Sequence, residues 1–181
     1  MKFLSTHLLK KIKCHIANGG ILAYPTEYCF GLGCDYKNVN AVKKIINLKS
    51  RNSNKGMIII SGNISHFKSL ININNTYSEY WPGAFTLLLN SDNRFIKKLV
   101  SGRNDKIALR ITKHQLVTQI CDYLNQGIIS TSANYSGRFP AKTYKECCRI
   151  FGKKIMIVPG LTNFRRMPSS IIEYETKKVL R

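Results

Sequence analysis

Apolar residues recur along this chain in two rhythms. Leu8, Leu9, Ile12 and Ile16 fall on one face at helical spacing, and Gly19-Gly20 follows as a stop. Ile21-Leu22-Ala23-Tyr24 then reads as a strand closed by Pro25. Asn38 is placed to cap a helix whose buried face is Val39, Val42, Ile45 and Ile46. Met57-Ile58-Ile59-Ile60 is a continuous apolar run, the mark of a strand buried on both faces. Phe85 to Leu89 and Ile107 to Ile111 predict two further strands. Thr112-Lys113-His114-Gln115 fits a capping box for a helix carried by Leu116, Val117, Ile120 and Leu124, with Gly127 as its end. Ile128-Ile129-Ser130 opens another strand, and Thr143-Tyr144-Lys145-Glu146 is a second capping box, with Gly152 at the helix end. Ile155 to Val158 and Ile171 to Tyr174 complete the strands, and the asparagine-rich segment 72–75 reads as a surface loop.

Helices and strands alternate, which places the chain in the α/β class. Some connections contain no helix, so the expected sheet is mixed rather than purely parallel. A length of 181 residues with no linker, repeat or low-complexity stretch fits one domain over 1–181. Hydrophobic residues at 44% and charged residues at 21% exclude a disordered tail. The charge is lopsided: 29 Lys and Arg against 9 Asp and Glu give +20. Such a field attracts polyanions, whereas the abundance of Lys, Asn and Ile would also follow from an AT-rich genome. Cys14, Cys29, Cys34, Cys121, Cys147 and Cys148 form no C-x-x-C pair and read as reduced thiols with no metal site. No apolar run is long enough to cross a bilayer, and Met1 to His7 lacks the apolar stretch of a signal peptide, so no membrane partner and a cytoplasmic location are expected.

Polar segments that follow buried strands hold the candidate chemistry, because ligands in open α/β sheets bind beyond the carboxyl ends of strands. Tyr24-Pro25-Thr26-Glu27 leads into Gly31-Leu32-Gly33, where glycines allow close backbone approach; the segment lacks the third glycine of a dinucleotide fingerprint and reads equally as a turn. Lys49, Arg51, Ser53 and Lys55 crowd one short loop, suited to a triphosphate or to simple solvation. Trp81-Pro82-Gly83 reads as a packed corner. Ser130, Thr131, Ser132 and Asn134 form a hydroxyl and amide loop that could hold an anion or cap its own backbone. Arg110, near the end of a buried strand, needs an anionic partner from protein or ligand. No nucleophile signature or P-loop is present, and His7, His15, His66 and His114 are scattered.

In this order, the strings AYPTEYCFGLGCD, LKSRNSNKG, WPGAFT, ALRITKHQLV and ISTSANYSG resemble the YrdC-type threonylcarbamoyl-adenylate synthase family, in its short single-domain bacterial form, from about Lys10 to Ile172. The resemblance implies a twisted mixed sheet with flanking helices around a basic cleft. It implies an ATP-dependent nucleotidyltransferase that turns L-threonine, bicarbonate and ATP, with Mg²⁺, into threonylcarbamoyl-AMP and pyrophosphate. A separate tRNA-modifying transferase complex would then use the product for N6-threonylcarbamoyladenosine. By motif, Thr26, Arg110, Ser130 and Ser169 would hold threonine. Lys49, Arg51, Ser53, Lys55, Ser132 and Asn134 would face ATP, with Lys49 and Arg51 central to catalysis, and alanine at either is expected to stop the reaction with the fold intact. Two departures stand out: Asn52 replaces the proline usual after K-x-R, and residues 159–166 lack the family's acidic, glycine-rich character. A structured-RNA-binding module, or a ribosome-assembly factor using the same groove, is the alternative reading of the charge.

Overall fold

A computed structural model describes residues 3–73 and 75–181. Met1, Lys2 and Asn74, parts of the N-terminal and asparagine-rich segments read above, lie outside the described residues. The elements run α1 (Thr6–Ala17), β1 (Leu22–Pro25), β2 (Phe30–Gly33), α2 (Val39–Lys49), β3 (Ile58–Ser61), β4 (Phe85–Leu89), α3 (Arg94–Val100), β5 (Ile107–Ile111), α4 (Gln115–Leu124), β6 (Ile128–Ser132), α5 (Tyr144–Phe151), β7 (Met156–Ile157) and β8 (Ser170–Glu173), with short 3₁₀ turns between. The strands join in the order β7-β1-β2-β6-β3-β5-β4-β8. β1–β7, β3–β5 and β4–β8 are parallel and the other pairs antiparallel, so the sheet is mixed as expected.

Alternation along the strands sends side chains to two layers. Ala23, Ile59, Leu109 and Ile129 pack with Val42 and Ile45 of α2 on one face. Leu22, Tyr24, Ile60 and Ile128 pack with Ile12 and Ile16 of α1 and Val117 and Ile120 of α4 on the other. That second cover is incomplete. The register sets Leu88 opposite Ala108, Ala108 beside Ile58, and Ile58 opposite Ser130. This row lies on the same face as Ile60 and Ile128 but beyond the reach of α1 and α4, and it floors an open cleft. The apolar run at 57–60 therefore corrects the sequence reading: Ile58 is only half-buried, because its face of the sheet is left open there.

Local chemistry explains three further differences. Phe30–Gly33 is a strand rather than a glycine loop, and a Cβ at Gly33 would come within 2.5 Å of the Ile129 carbonyl oxygen and 2.7 Å of the Tyr24 ring. Gly33→Ala is expected to lower the thermal midpoint by several degrees, since backbone on one side cannot give way. Thr112 is not a helix cap; His114 occupies that position without a side-chain cap, and Thr112 serves Glu27 instead. α4 ends at Asn125 in left-handed backbone, two residues before Gly127. The capping box at Thr143 and Glu146 is present. α3, unread in the sequence, is a seven-residue helix capped by Asn93.

Candidate functional site

The cleft encloses ≈ 490 Å³ and is bounded by Thr26, Gly31, Arg51, Arg110, Ser130, Ser132, Ser169 and Arg181 above the Leu88–Ala108–Ile58 floor. It crosses the uncovered half of the sheet face rather than sitting only beyond strand ends, which corrects the placement taken from strand ends alone. Small residues at Gly31, Ala108 and Ser130 keep it open. Three guanidinium groups and no aspartate or glutamate appear in its described lining.

Arg110 occupies the border between the helix-covered and open halves of the face, in register with Ile60. Its Nη2 is ion-paired with Glu27 Oε2 at 2.8 Å, and its Nε donates to the Gly83 carbonyl at 3.2 Å. The partner that the sequence left open is thus a protein carboxylate, with guanidinium donors left over. Glu27 Oε1 also accepts from Thr112 Oγ1 at 2.6 Å and from the Lys113 amide at 3.2 Å. Burial pushes the Arg110 guanidinium down, and Glu27 pulls it back up. The same turn carries Thr26, whose Oγ1 and backbone N–H both donate to the Cys29 carbonyl, at 2.8 and 3.1 Å. The Thr26 hydroxyl keeps lone pairs that can accept from a ligand donor.

The α2 terminus supplies Lys49 and Arg51. Ser50 adopts left-handed backbone (φ 50°), and the Arg51 amide closes onto the Ile46 carbonyl, which turns the chain sharply after Lys49. Arg51 lines the cleft, donates from Nη2 to the Gly56 carbonyl at 2.7 Å, and leaves a buried Nε without a partner among the described residues. Burial first, then Arg181, lowers its affinity for a proton. A guanidinium in this setting stays charged and is stabilised by an incoming anion. Lys49 lies outside the lining and is buried beneath it. Its Nζ donates to the Ser132 carbonyl, to the Asn134 carbonyl at 2.7 Å and to Asn134 Oδ1 at 2.9 Å. The Ser136 amide returns a bond to the Lys49 carbonyl at 2.9 Å. Burial lowers the amine to about 8, which leaves it charged at neutral pH. Lys49 therefore clasps the loop after β6, and Ser132 Oγ donates to Asn134 Oδ1 at 2.7 Å within it.

The other sequence candidates are dispersed. Ser130, Ser132 and Ser169 line the cleft, and Ser169 Oγ lies 2.8 Å from Thr86 Oγ1. Asn134 lies outside the lining, and Ser53 and Lys55 are exposed beside it. Arg181 was not singled out in the sequence: it belongs to no motif string, and only the pairing of residues 178–181 back onto β8 would have revealed it. Its Nη2 donates to the Ser169 carbonyl at 3.1 Å, its charge lowers the proton affinity of Arg51, and the charge of Arg110 lowers its own.

One buried histidine, His114, and one half-buried histidine, His66, both outside the cleft lining, shape the pH dependence of stability. His114 shares a bond with the Leu161 carbonyl through Nε2 at 3.1 Å, and its Nδ1 has no partner among the described residues. His66 Nδ1 lies 2.7 Å from Ser61 Oγ. Burial depresses both below the ordinary 6.5. The unfolded chain then binds more protons, so stability is complete above about pH 6.5 and falls as the pH drops below it. Thermal midpoints measured from about pH 7.5 to about pH 5 are expected to fall, and a His66→Gln, His114→Gln double variant to show a flatter profile.

Comparison with known proteins fits this geometry. Threonylcarbamoyl-AMP synthase of Methylobacillus flagellatus is 37% identical over 171 residues, 92% of this chain and 94% of the relative. The synthase of Thiobacillus denitrificans is 36% identical over 175 residues, 94% of this chain and 93% of the relative. Among solved structures, the H234A/Y235A form of P. abyssi Sua5 superposes with a TM-score of 0.86 at 25% identity, covering 95% of this chain and 54% of that one, so this chain spans only about half of that protein. E. coli YciO shares the fold, with a TM-score of 0.85 at 18% identity over 99% of this chain and 91% of that one. The profile of the Sua5/YciO/YrdC family, described as telomere recombination, matches residues 14–181, and the chain belongs to that family.

Proposed function

We propose that this chain is a threonylcarbamoyl-AMP synthase, joining L-threonine, bicarbonate and ATP for N6-threonylcarbamoyladenosine synthesis on tRNA. The observation that carries the reading is one cleft where Arg51, Arg110 and Arg181 meet the hydroxyls of Thr26, Ser130 and Ser169, in a chain 37% identical to a named synthase. The reaction must hold two anions, a carboxylate and a triphosphate, and three arginines with no lining aspartate or glutamate suit that task.

In this reading Arg110, braced by Glu27, turns its free donors to the threonine carboxylate. Thr26, Ser130 and Ser169 hold the amino-acid end. Arg51 meets the phosphates, Ser132 and Asn134 lie along the nucleotide, and Lys49 fixes their loop. Ser53 and Lys55, on the Arg51 loop, are outer phosphate contacts. Arg181 adds its charge to that of Arg51 on the ATP side of the cleft. The threonine amine and bicarbonate give a carbamate and water. A carbamate oxygen then attacks the α-phosphorus, and pyrophosphate leaves with the bonding pair. The protein's share is alignment and charge neutralisation, so no side-chain nucleophile is required. Mg²⁺ would arrive with ATP and add to the neutralisation of phosphate charge, and the lining hydroxyls of Ser130 and Ser132 would meet its water shell.

The product is a reactive mixed anhydride, consumed by a transferase complex that moves the threonylcarbamoyl group to tRNA adenosine. Among the described residues no helix is long and apolar enough to cross a membrane. Pyrophosphate release tests the reading: it should require ATP, threonine and bicarbonate together. Salt-sensitive RNA binding with no turnover would favour the RNA-module alternative instead.

A further inference from the structure

Arg181 reaches the cleft on the return arm of a hairpin, and the tip of that hairpin is fastened by a side chain with no part in the cleft. β8 pairs with β4 on one side. On the other, Ile172 bridges Val179, the Glu173 amide donates to the Lys178 carbonyl at 2.9 Å, the Leu180 amide donates to the Ile171 carbonyl at 2.8 Å, and the Ile171 amide donates to the Arg181 carbonyl at 3.0 Å. At the tip, Lys177 Nζ lies 4.2 Å from the centre of the Tyr174 ring and 5.2 Å from that of Tyr80. Tyr80 meets Tyr174 edge-on at 6.1 Å and Phe85, the first residue of β4, at 5.7 Å. Tyr174 belongs to the hairpin and Tyr80 to the turn that leads into β4, so the two rings join the hairpin tip to the approach to its neighbouring strand.

The backbone is a second, independent sign. Lys177 has φ 57°, in the left-handed region where glycine is at home and a lysine is strained. The backbone bond from the Glu173 amide to the Lys178 carbonyl closes the turn, and the ring contacts of the Lys177 side chain add to what holds this conformation. The acidic groups nearby are engaged elsewhere: Glu173 with Lys106 and Thr176, and Glu175 with Lys106 and Asn90.

We infer that Lys177 is a positioning residue for the reaction: its cation, clamped on Tyr174 and Tyr80, pins the hairpin so that the return arm delivers Arg181 to the ATP side of the cleft. The inference rests on the synthase reading above. A turn that is merely structural would welcome glycine at position 177, so Lys177→Gly separates the two ideas.

ATP binding is measured by calorimetry and turnover by pyrophosphate release, with the variants' thermal midpoints confirming that they fold. Lys177→Gly is expected to weaken ATP binding by roughly threefold to tenfold, with a smaller change in the threonine KM, and Lys177→Arg to stay within about twofold of the wild type. In an Arg181→Ala background, Lys177→Gly should weaken ATP binding no further. Wild-type ATP affinity in Lys177→Gly overturns the proposal, as does an equal loss in Lys177→Arg or additivity with Arg181→Ala. A wild-type chain that binds ATP but releases no pyrophosphate overturns the synthase reading, while the ATP affinities still decide the pin. A wild-type chain that binds no ATP overturns both.

Discussion

Arg51→Ala is expected to lower adenylate formation by at least about 100-fold with little loss of stability. The guanidinium lines the cleft, spends one bond on the Gly56 carbonyl, and has a buried Nε with no partner among the described residues. Its removal takes charge away from the phosphates without opening a core. Lys49→Ala is also expected to stop the reaction, but by another route. That amine supplies three bonds to the 132–134 loop from beneath the cleft. Alanine there removes a buried amine and leaves partly exposed loop acceptors without their donor, at a cost on the order of 1–3 kcal/mol. The structure therefore splits the sequence expectation: an intact fold is expected for Arg51→Ala and a weakened one for Lys49→Ala. Urea unfolding alongside pyrophosphate release checks the contrast: Arg51→Ala should keep the wild-type midpoint, and Lys49→Ala should lose both midpoint and activity.

Glu27→Ala carries the largest expected loss of stability. Arg110 is buried, and Glu27 is its ion-pair partner at 2.8 Å. Removing one member of a buried pair leaves an uncompensated charge, at about 3–5 kcal/mol. Thr112 and the Lys113 amide lose their acceptor as well, which loosens the entry to α4. Glu27→Gln keeps an acceptor for Thr112 and should be milder. In both variants, if folded, Arg110 is no longer braced, so the threonine KM should rise more than the ATP KM. Chemical denaturation and separate KM measurements read the two effects, and an unchanged threonine KM in Glu27→Gln would contradict a bracing role for the carboxylate.

Much of this fold could be read from the chain because period and burial agree. The α1, α2 and α4 faces and the strands at 57–60 and 107–111 emerged within a residue of where the hydrophobic pattern placed them, although burial on both faces failed at Ile58. β2 was hidden because its glycines look like a loop, although close packing against Tyr24 and Ile129 is what demands them. The cap role of Thr112 was misread because a hydroxyl before a helix also suits a carboxylate 85 residues away, and no local pattern reports that distance. In the site, ordered motifs pointed to residues that do line the cleft, among them Thr26, Arg51, Arg110, Ser130 and Ser169. They could not tell a residue that faces a ligand from one that holds the wall: Lys49 and Asn134 sit behind the lining. Arg181 was invisible for the opposite reason, since a hairpin rather than a motif brings it in.

The central claim is that carbon from bicarbonate, joined to threonine, ends on the α-phosphate of ATP. Incubating the purified chain with ATP, L-threonine and ¹³C-bicarbonate, and resolving the products by mass spectrometry, tests it most directly. The account predicts threonylcarbamoyl-AMP heavier by one mass unit than the product from unlabelled bicarbonate, with pyrophosphate formed in equal amount and neither formed when threonine is omitted. Pyrophosphate released without threonine, or an adenylate that carries no label, would contradict it.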